Sequence, residues 1–365
     1  MAGEQGPDAT GLADFVARMG GERSLRVEEN LGEGYVRLRV AEAERRQAKH
    51  DIRCVEDMVI ELLRNSRDAG AKRIYVATSR EGDLRTTTIL DDGAGIPEDM
   101  QGRVFEARVT SKLESVHVDR WGVHGRGMAL YSVRENAESA RVASSAPGKG
   151  ASISVVTDAT KLAERSDQST WPTLGEDGDG RRCCARGPHN IVRTCCEFAL
   201  EEYGSCEVYV GSPAEMAATA RARVTPSVDG SELLFIDDLS ALPVLERLRA
   251  AADARELLSV CTRLGLEMSE RTAHRVVSGQ VRPLRSVASR MLRKADAPAG
   301  PKPVDLYRDR RGLRISKPDA EEFSRVLAKD FSFIEDRYYV SLVNNPKVRV
   351  GRGRITVTFD LEDAD

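Results

Sequence analysis

The segment MVIELLRNSRDAGA, Met58 to Ala71, leaves the backbone little choice. Met58, Val59, Leu62, Ser66 and Ala69 recur at helical spacing, which predicts an amphipathic helix lying on a core, with Gly70 as its C-terminal cap. A second stripe runs along the border of that face: Glu61, Asn65 and Asp68, at i, i+4 and i+7. Taken alone, the stripe reads as a solvated edge in which Glu61 and Asp68 pair with Arg64 and Arg67.

The flanking pattern predicts an α+β fold. YVRLRV (35–40) reads as a strand, and a continuous helix is expected from Ala41 to Ala69. RIYVATS (73–79) and RTTTILDD (85–92) are strands joined by a tight turn. A glycine-rich, charged interval then runs to Gly127, followed by a helix MALYSVRENA and the strands ARVASS and ASISVVT. Helix, strand, strand, loop, helix, strand, strand predicts helices on one face of a largely antiparallel sheet. Two glycine clusters interrupt this pattern. DDGAGIP (91–97) puts a carboxylate at the end of a buried strand, before glycines that let a ligand approach the backbone, which suits a base with an exocyclic amine. WGVHGRGMAL places Gly122, Gly125 and Gly127 before a helix whose free N–H groups attract phosphate. Either cluster alone also reads as an ordinary turn or connector.

In this order and spacing the three segments, covering about residues 38–158, resemble the GHKL ATPase superfamily of MutL, DNA gyrase B, the ninety-kilodalton heat-shock chaperones and histidine kinases. The form ELLRN…DAGA, with VTSK (109–112), is nearest to the MutL-like branch. The resemblance implies a Bergerat-type α/β sandwich that binds ATP and Mg2+. It implies that Glu61 orients or deprotonates the attacking water and that Asn65 offers its amide oxygen to the metal. Asp91 would accept from the adenine amino group, Gly93 and Gly95 would let the nucleotide lie on the backbone, and Asp68 would support the pocket. Residues 97–127 would be a lid whose Lys112, Gly122, Gly125 and Gly127 meet the phosphates. Where the family has Thr after its last glycine this chain has Ala151, with Ser152 expected to face away. KHDIRC (49–54) resembles a histidine-kinase phosphoacceptor box, but on one rigid helix His50 would lie about 16 Å from Glu61, too far to reach its own γ-phosphate.

The 365 residues allow several domains, and a net charge of −3 imposes no global field favouring nucleic acid or membrane. No apolar run approaches the ~20 residues of a membrane helix and no secretion signal is evident, so a cytoplasmic protein with reduced cysteines is expected. A zinc site built on Cys183-Cys184, Cys195-Cys196 and His189 matches no familiar spacing. The organisation reads as a loosely ordered arm (1–34), the ATP-binding domain (35–160), a linker (161–187), a small α/β segment (188–240), a helical segment (241–293) and a C-terminal α/β segment (304–365). Lys317 and Lys347 in the last are candidates for a lysine that reaches the γ-phosphate. Residues 254–292 resemble a helix-turn-helix of the phage-repressor type, with Arg271, Thr272, His274 and Arg275 as candidate DNA contacts. A plain helical bundle with a basic face fits the same pattern. The expected function is a Mg2+-dependent ATPase that closes its lid, forms a homodimer through the arm and controls a partner or DNA. The alternatives are a kinase of the histidine-kinase type and an ATP-sensing DNA-binding regulator.

Overall fold

The computed structural model describes residues 27–40, 42–111, 117–119, 121–124, 127–178, 180–228, 236, 238–295, 315–338, 340–351 and 354–363. Their contacts separate two units, Met1–Ala297 and Pro298–Asp365.

The first unit opens with β1 (Val27–Gly32) and β2 (Tyr35–Leu38). Residues 27–32 were expected in a loose arm, but Glu33 and Gly34 both adopt positive φ (51° and 77°). That is the geometry of a two-residue hairpin turn, and it forces the two strands together. The single helix expected from Ala41 to Ala69 is two helices, α1 (Glu42–Asp51) and α2 (Val55–Asp68). The break has a local cause. Asp57 accepts from the backbone N–H of Arg53 at 3.0 Å, and the N–H of Val55 donates to Ala163 at 3.0 Å, so α2 restarts on its own anchor. The rigid-rod argument about His50, which is exposed near the end of α1, therefore does not hold in that form. At its other end α2 closes in a Schellman motif. Gly70 (φ +75°) donates to Arg67 and Ala71 donates to Ser66.

A five-stranded sheet follows: β3 (Arg73–Glu81), β4 (Leu84–Asp91), β8 (Ser139–Ser145), β9 (Ala151–Asp158) and β12 (Glu207–Gly211). Its order is β12-β3-β4-β9-β8, antiparallel except for the β12–β3 pair. Between β4 and β8 lie two 3-10 turns (Glu98–Met100 and Arg103–Phe105), β5 (Val109–Thr110), a small hairpin β6 (His117–Asp119) and β7 (Gly122–His124), and α3 (Ala129–Glu135). β5 pairs with β2, Val36 opposite Thr110, so the N-terminal hairpin is built onto the base of the expected lid. Residues 174–182, read as part of a linker, instead contribute to a hairpin of β10 (Thr173–Glu176) and β11 (Arg182–Arg186).

The helices of residues 55–135 lie on one face of the sheet, as expected, and helices from residues 213–277 cover the other. Ile74 and Val76 of β3, Ile89 of β4 and Val208 and Val210 of β12 pack with α2, with α4 (Ile191–Glu201) and with Val287 and Met291 of a later helix. Tyr75, Ala77, Leu90 and Tyr209, the alternate positions, point to the opposite layer. That layer is α5 (Pro213–Arg223), α6 (Val244–Ala250), α7 (Ala254–Arg263) and α8 (Glu270–Val277). The rings of Tyr75 and Tyr209 stack beneath it at 4.8 Å. Apolar residues on both faces of β3 mean that one layer of helices could not bury the sheet. The second layer is also hydrogen-bonded to the strands: Thr88 Oγ1 donates to the carbonyl of Gly265 (2.8 Å) and Ser152 Oγ to that of Leu264 (2.7 Å).

Over residues 254–277 there are thus two helices and a turn, with Gly265 at φ +72° and Ser269 capping α8. Arg271, His274 and Arg275 are exposed, and the Thr272 hydroxyl lies 2.9 Å from that of Ser269. α9 (Val287–Ala295) leaves this group and packs in the other core, where Arg290 lies 3.7 Å over the Trp171 ring. Cys184, Cys195 and Cys196 are buried in that core as free thiols. Burial raises the Cys195 thiol to about 12.

The second unit consists of α10 (Lys317–Tyr338) and two strand pairs, β13 (Val340–Leu342) with β16 (Leu361–Asp363) and β14 (Lys347–Gly351) with β15 (Arg354–Thr358). Phe331 stacks on Phe359 at 5.0 Å. Lys317 opens α10, and Lys347 pairs with Asp360 at 2.7 Å. No described helix is long and apolar enough to cross a membrane.

Candidate functional site

The C-terminal half of α2, the end of β4, the start of β9 and the base of the 97–127 segment enclose a cavity of ≈ 340 Å³, within the range of small-molecule sites. Asn65, Ser66 and Asp68 line it from α2, and Asp91, Ala94, Gly95 and Ile96 from the first glycine cluster. Thr110, Ser111 and Gly127 line the phosphate-side wall expected for the lid, and Tyr35 comes from the hairpin. Three motifs separated by up to sixty residues of sequence therefore meet around one space.

Asp91 is the best-defined group. Its carboxylate, 4% exposed, accepts from Ser66 Oγ at 2.8 Å and from the N–H of Gly93 at 2.9 Å. Burial raises its carboxyl from 3.8 to about 6, against the lowering effect of those two donors. A carboxylate offers about four acceptor positions, so it keeps capacity for a ligand amine. Asn65 presents the complementary signal. Its Nδ2 is buried and has no hydrogen-bond partner, an expensive state that a ligand or metal-bound water would relieve. Ala151 lines the cavity while Ser152 bonds to the helical layer behind the sheet, as the alternation along β9 predicts.

Gly93 and Gly95 also serve the fold itself, and Gly95 lines the cavity. A Cβ on Gly95 (φ +75°) would lie 1.9 Å from the Ala146 carbonyl oxygen, and one on Gly93 would lie 2.9 Å from the Cβ of Ala69. At both positions the protein's own chain fills the space. It closes the glycine turn onto the end of α2 and the β8–β9 connection, with Ala94 N–H donating to Ala69 and Gly150 N–H to Gly93. Gly127 (φ +67°) accepts from the N–H of Arg108. Gly122 lies in β7, while Lys112 and Gly125 lie outside the described residues.

The charged stripe of α2 divides. Asp68 lines the cavity, is 3% exposed and pairs with Arg67 at 3.0 Å, and Arg67 also reaches Glu202 beyond α4 at 3.1 Å. Glu61 is bonded by Arg64 Nη1 at 2.7 Å and is absent from the residues lining the cavity. The pairs of the solvated-edge reading are therefore real, but Arg64, 2% exposed, is one of the largest fully buried side chains of the protein. Sequence reasoning missed Ser66 and Tyr35. Ser66 belonged to the apolar face by spacing, and only its register opposite Asp91 reveals it.

ATP and Mg2+, implied by the resemblance, fit this donor set: a buried carboxylate for an amine, and an unsatisfied amide one and a half turns of α2 nearer its N-terminus than the cap. Among the described residues no group of three or more His, Cys, Asp or Glu could hold a metal.

Residues 50–161 match the model of the histidine kinase-, DNA gyrase B-, and HSP90-like ATPase family. The chain is 41% identical to the DNA mismatch repair protein MutL of Thermus thermophilus over 83 residues, 23% of this chain and 15% of that protein. With MutL of Listeria monocytogenes it shares 36% over 101 residues, 27% of this chain and 16% of that one. With MutL of Acidiphilium cryptum it shares 27% over 289 residues, 72% of this chain and 49% of that one. The matches thus span from about a seventh to a half of these relatives' length. The cavity lies within the matched segment apart from Tyr35, and its residues come from the boxes that carry the resemblance: residues 50–161 are an ATPase domain of the histidine kinase-, DNA gyrase B- and HSP90-like family, similar to that of MutL.

Proposed function

We propose that the first unit binds Mg·ATP in this cavity and hydrolyses it slowly, in a MutL-like role in which nucleotide state controls a partner. The observation that carries the reading is the convergence of Asn65, Asp91, Gly95 and Gly127 on one cavity. Asp91, held by Ser66 and Gly93, accepts from the adenine amino group. Asn65 turns its amide oxygen to the metal, and Glu61, one helical turn before it, takes the proton of the attacking water. Mg2+, where bound, would be held by Asn65 and would withdraw charge from the phosphates. Lys112, Gly122, Gly125 and Gly127 close over the phosphates, a movement transmitted to the N-terminal hairpin through the β2–β5 pairing. We extend the proposal to a homodimer that forms through residues 1–34 when the lid closes.

Calorimetry with ATP and Mg2+ tests the site. Wild type is expected to bind and Asn65→Ala to lose binding by at least about tenfold, since the metal loses its protein oxygen. Equal affinities would remove Asn65 from the site. Sizing with a non-hydrolysable analogue tests the dimer.

A second reading, DNA contact through α7 and α8, has its own support. Residues 254–285 carry six arginines, all exposed, against three glutamates, in a chain of net charge −3. Arg271, Thr272, His274 and Arg275 would meet phosphates and base edges. Duplex affinity should then fall steeply with salt, and more shallowly after Arg271→Ala with Arg275→Ala. Affinity insensitive to both would refute it.

A further inference from the structure

We propose that Tyr35 is a specificity-determining residue of the nucleotide cavity, its phenol hydroxyl bonding to a hydroxyl of the sugar so that the site prefers a ribonucleotide to its deoxy analogue. The proposal rests on the reading of the cavity as an ATP site given above.

Strand pairing brings Tyr35 to the cavity. β2 runs beside β5 with Arg37 across from Val109 and Val36 across from Thr110, and the same register carried one residue further puts Tyr35 across from Ser111. Val36 and Leu38 are buried (4% and 2%) on one face of β2, which leaves Tyr35 and Arg37 on the other. That strand is a firm mount. Arg37 bonds to Glu29 of β1 at 2.6 Å and to Glu106 after the second 3-10 turn, and the Leu38 N–H donates to the carbonyl of Arg108 at 3.0 Å. From this mount Tyr35 packs against the first core and lines the cavity, the one aromatic side chain among the described residues that do so.

Its place along the cavity selects the sugar. In the ATP reading Asp91 and Ile96 mark the base end and Asn65 and Gly127 the phosphate end, and the sugar must lie between them. Tyr35 stands where these two walls approach each other. Ser111, its neighbour across the ladder, follows Thr110 in the phosphate-side wall, while Asp99, three residues past Ile96, is near enough for its charge to act on the phenol. Burial raises the phenol above its ordinary value of 10, against the lowering effect of the Ser111 hydroxyl, so at neutral pH it keeps its hydrogen. A sugar hydroxyl accepts as well as donates and can take that hydrogen. The ring offers the sugar an apolar face beside it.

The test is calorimetry on the full chain with ATP, 2′-deoxy-ATP and 3′-deoxy-ATP, each with Mg2+, in wild type, Tyr35→Phe and Tyr35→Ala. Thermal melting without nucleotide accompanies each variant. Wild type should bind ATP about tenfold more tightly than at least one deoxy analogue, the scale of a single hydrogen bond. Tyr35→Phe keeps the ring and should keep the melting temperature, but its ATP affinity should fall to that of the analogue, whose own affinity stays unchanged. Tyr35→Ala should weaken all three nucleotides, since the ring is lost as well. Should Tyr35→Ala fail to fold, the Tyr35→Phe comparison decides alone. Equal binding of all three nucleotides by wild type overturns the sugar contact, as does a preference that survives in Tyr35→Phe. A loss in Tyr35→Phe shared equally by ATP and both analogues also overturns it, moving the phenol to the base or the phosphates and leaving the ATP site standing. A wild type that binds none of the three removes the ATP reading and this proposal together.

Discussion

Replacing Asp91 by Asn should make the nucleotide-free protein more stable and the site useless, and the two effects share one cause. The Asp91 carboxyl is raised from 3.8 to about 6 because its burial outweighs the bonds from Ser66 and Gly93. A raised carboxyl means that between pH 4 and 6 the folded chain holds a proton that the unfolded chain has lost. Stability therefore falls as pH rises through that window. Above pH 6 the full cost is present, about 3 kcal/mol at roughly 1.4 kcal/mol per pH unit. Asn removes it and keeps the local bonds, its carbonyl accepting from Gly93 and its NH2 donating to Ser66. The melting temperature at pH 8 should rise on the order of 5 °C for a unit of this size. At pH 4, where wild-type Asp91 is protonated, the gain should vanish. ATP should stabilise wild type and fail to stabilise the variant, since the amide meets the adenine amine with a donor or loses Ser66. Melting curves at pH 4, 6 and 8, with and without Mg·ATP, contain the whole test. A gain equal at pH 4 and pH 8, or none at pH 8, would show that ionised Asp91 is not a folding cost.

Gly95→Ala would place a Cβ 1.9 Å from the Ala146 carbonyl at φ +75°, so it should lower the melting temperature sharply and abolish nucleotide binding, read by thermal melting and calorimetry. Near-native stability would mean that the β8–β9 connection yields easily. Ser152→Ala with Thr88→Val leaves the buried carbonyls of Leu264 and Gly265 without these donors, at a cost of roughly 1–3 kcal/mol each. Hydrogen exchange should then accelerate across residues 254–277 before the rest of the first unit, and uniform acceleration would argue that the second layer does not open by itself.

What the sequence revealed and what it hid follow from the range of the forces involved. The stop of α2 at Gly70 is a local matter of φ and two hydrogen bonds, and so it was legible. The alternation that turns Ser152 away from the cavity is equally local. The break at Ile52–Cys54 depends on Ala163, more than a hundred residues away, and no local pattern records that partner. The second helical layer was legible in principle. In RIYVATS the residues Ile74, Tyr75, Val76 and Ala77 are all apolar, and an uninterrupted run implies burial on both faces. The hairpin of β10 and β11 was not: TLGE and RCCAR are poor in β-branched residues, and Cys184 is buried only because α4 passes over it. Within the site, Asn65 and Asp91 were legible through the resemblance of the boxes that contain them. Ser66 was not, because its function exists only once β4 lies across α2.

The cavity concentrates groups that the rest of the fold must carry at a cost. An unsatisfied amide on Asn65 and an anion at Asp91 that burial disfavours both oppose folding. They lie at one end of a sheet whose two faces are packed by separate apolar cores, and such cores supply the stability against which local costs can be set. A ligand that donates to Asp91 and brings a cation and water to Asn65 would relieve both costs at once. Its binding energy would then appear as stabilisation of α2 and β4 together, not of the cavity wall alone. The charged stripe of α2 is in this sense neither a solvated edge nor a bare ligand set. Arg64 pairs with a part-exposed Glu61 and Arg67 with a buried Asp68 at the cavity wall.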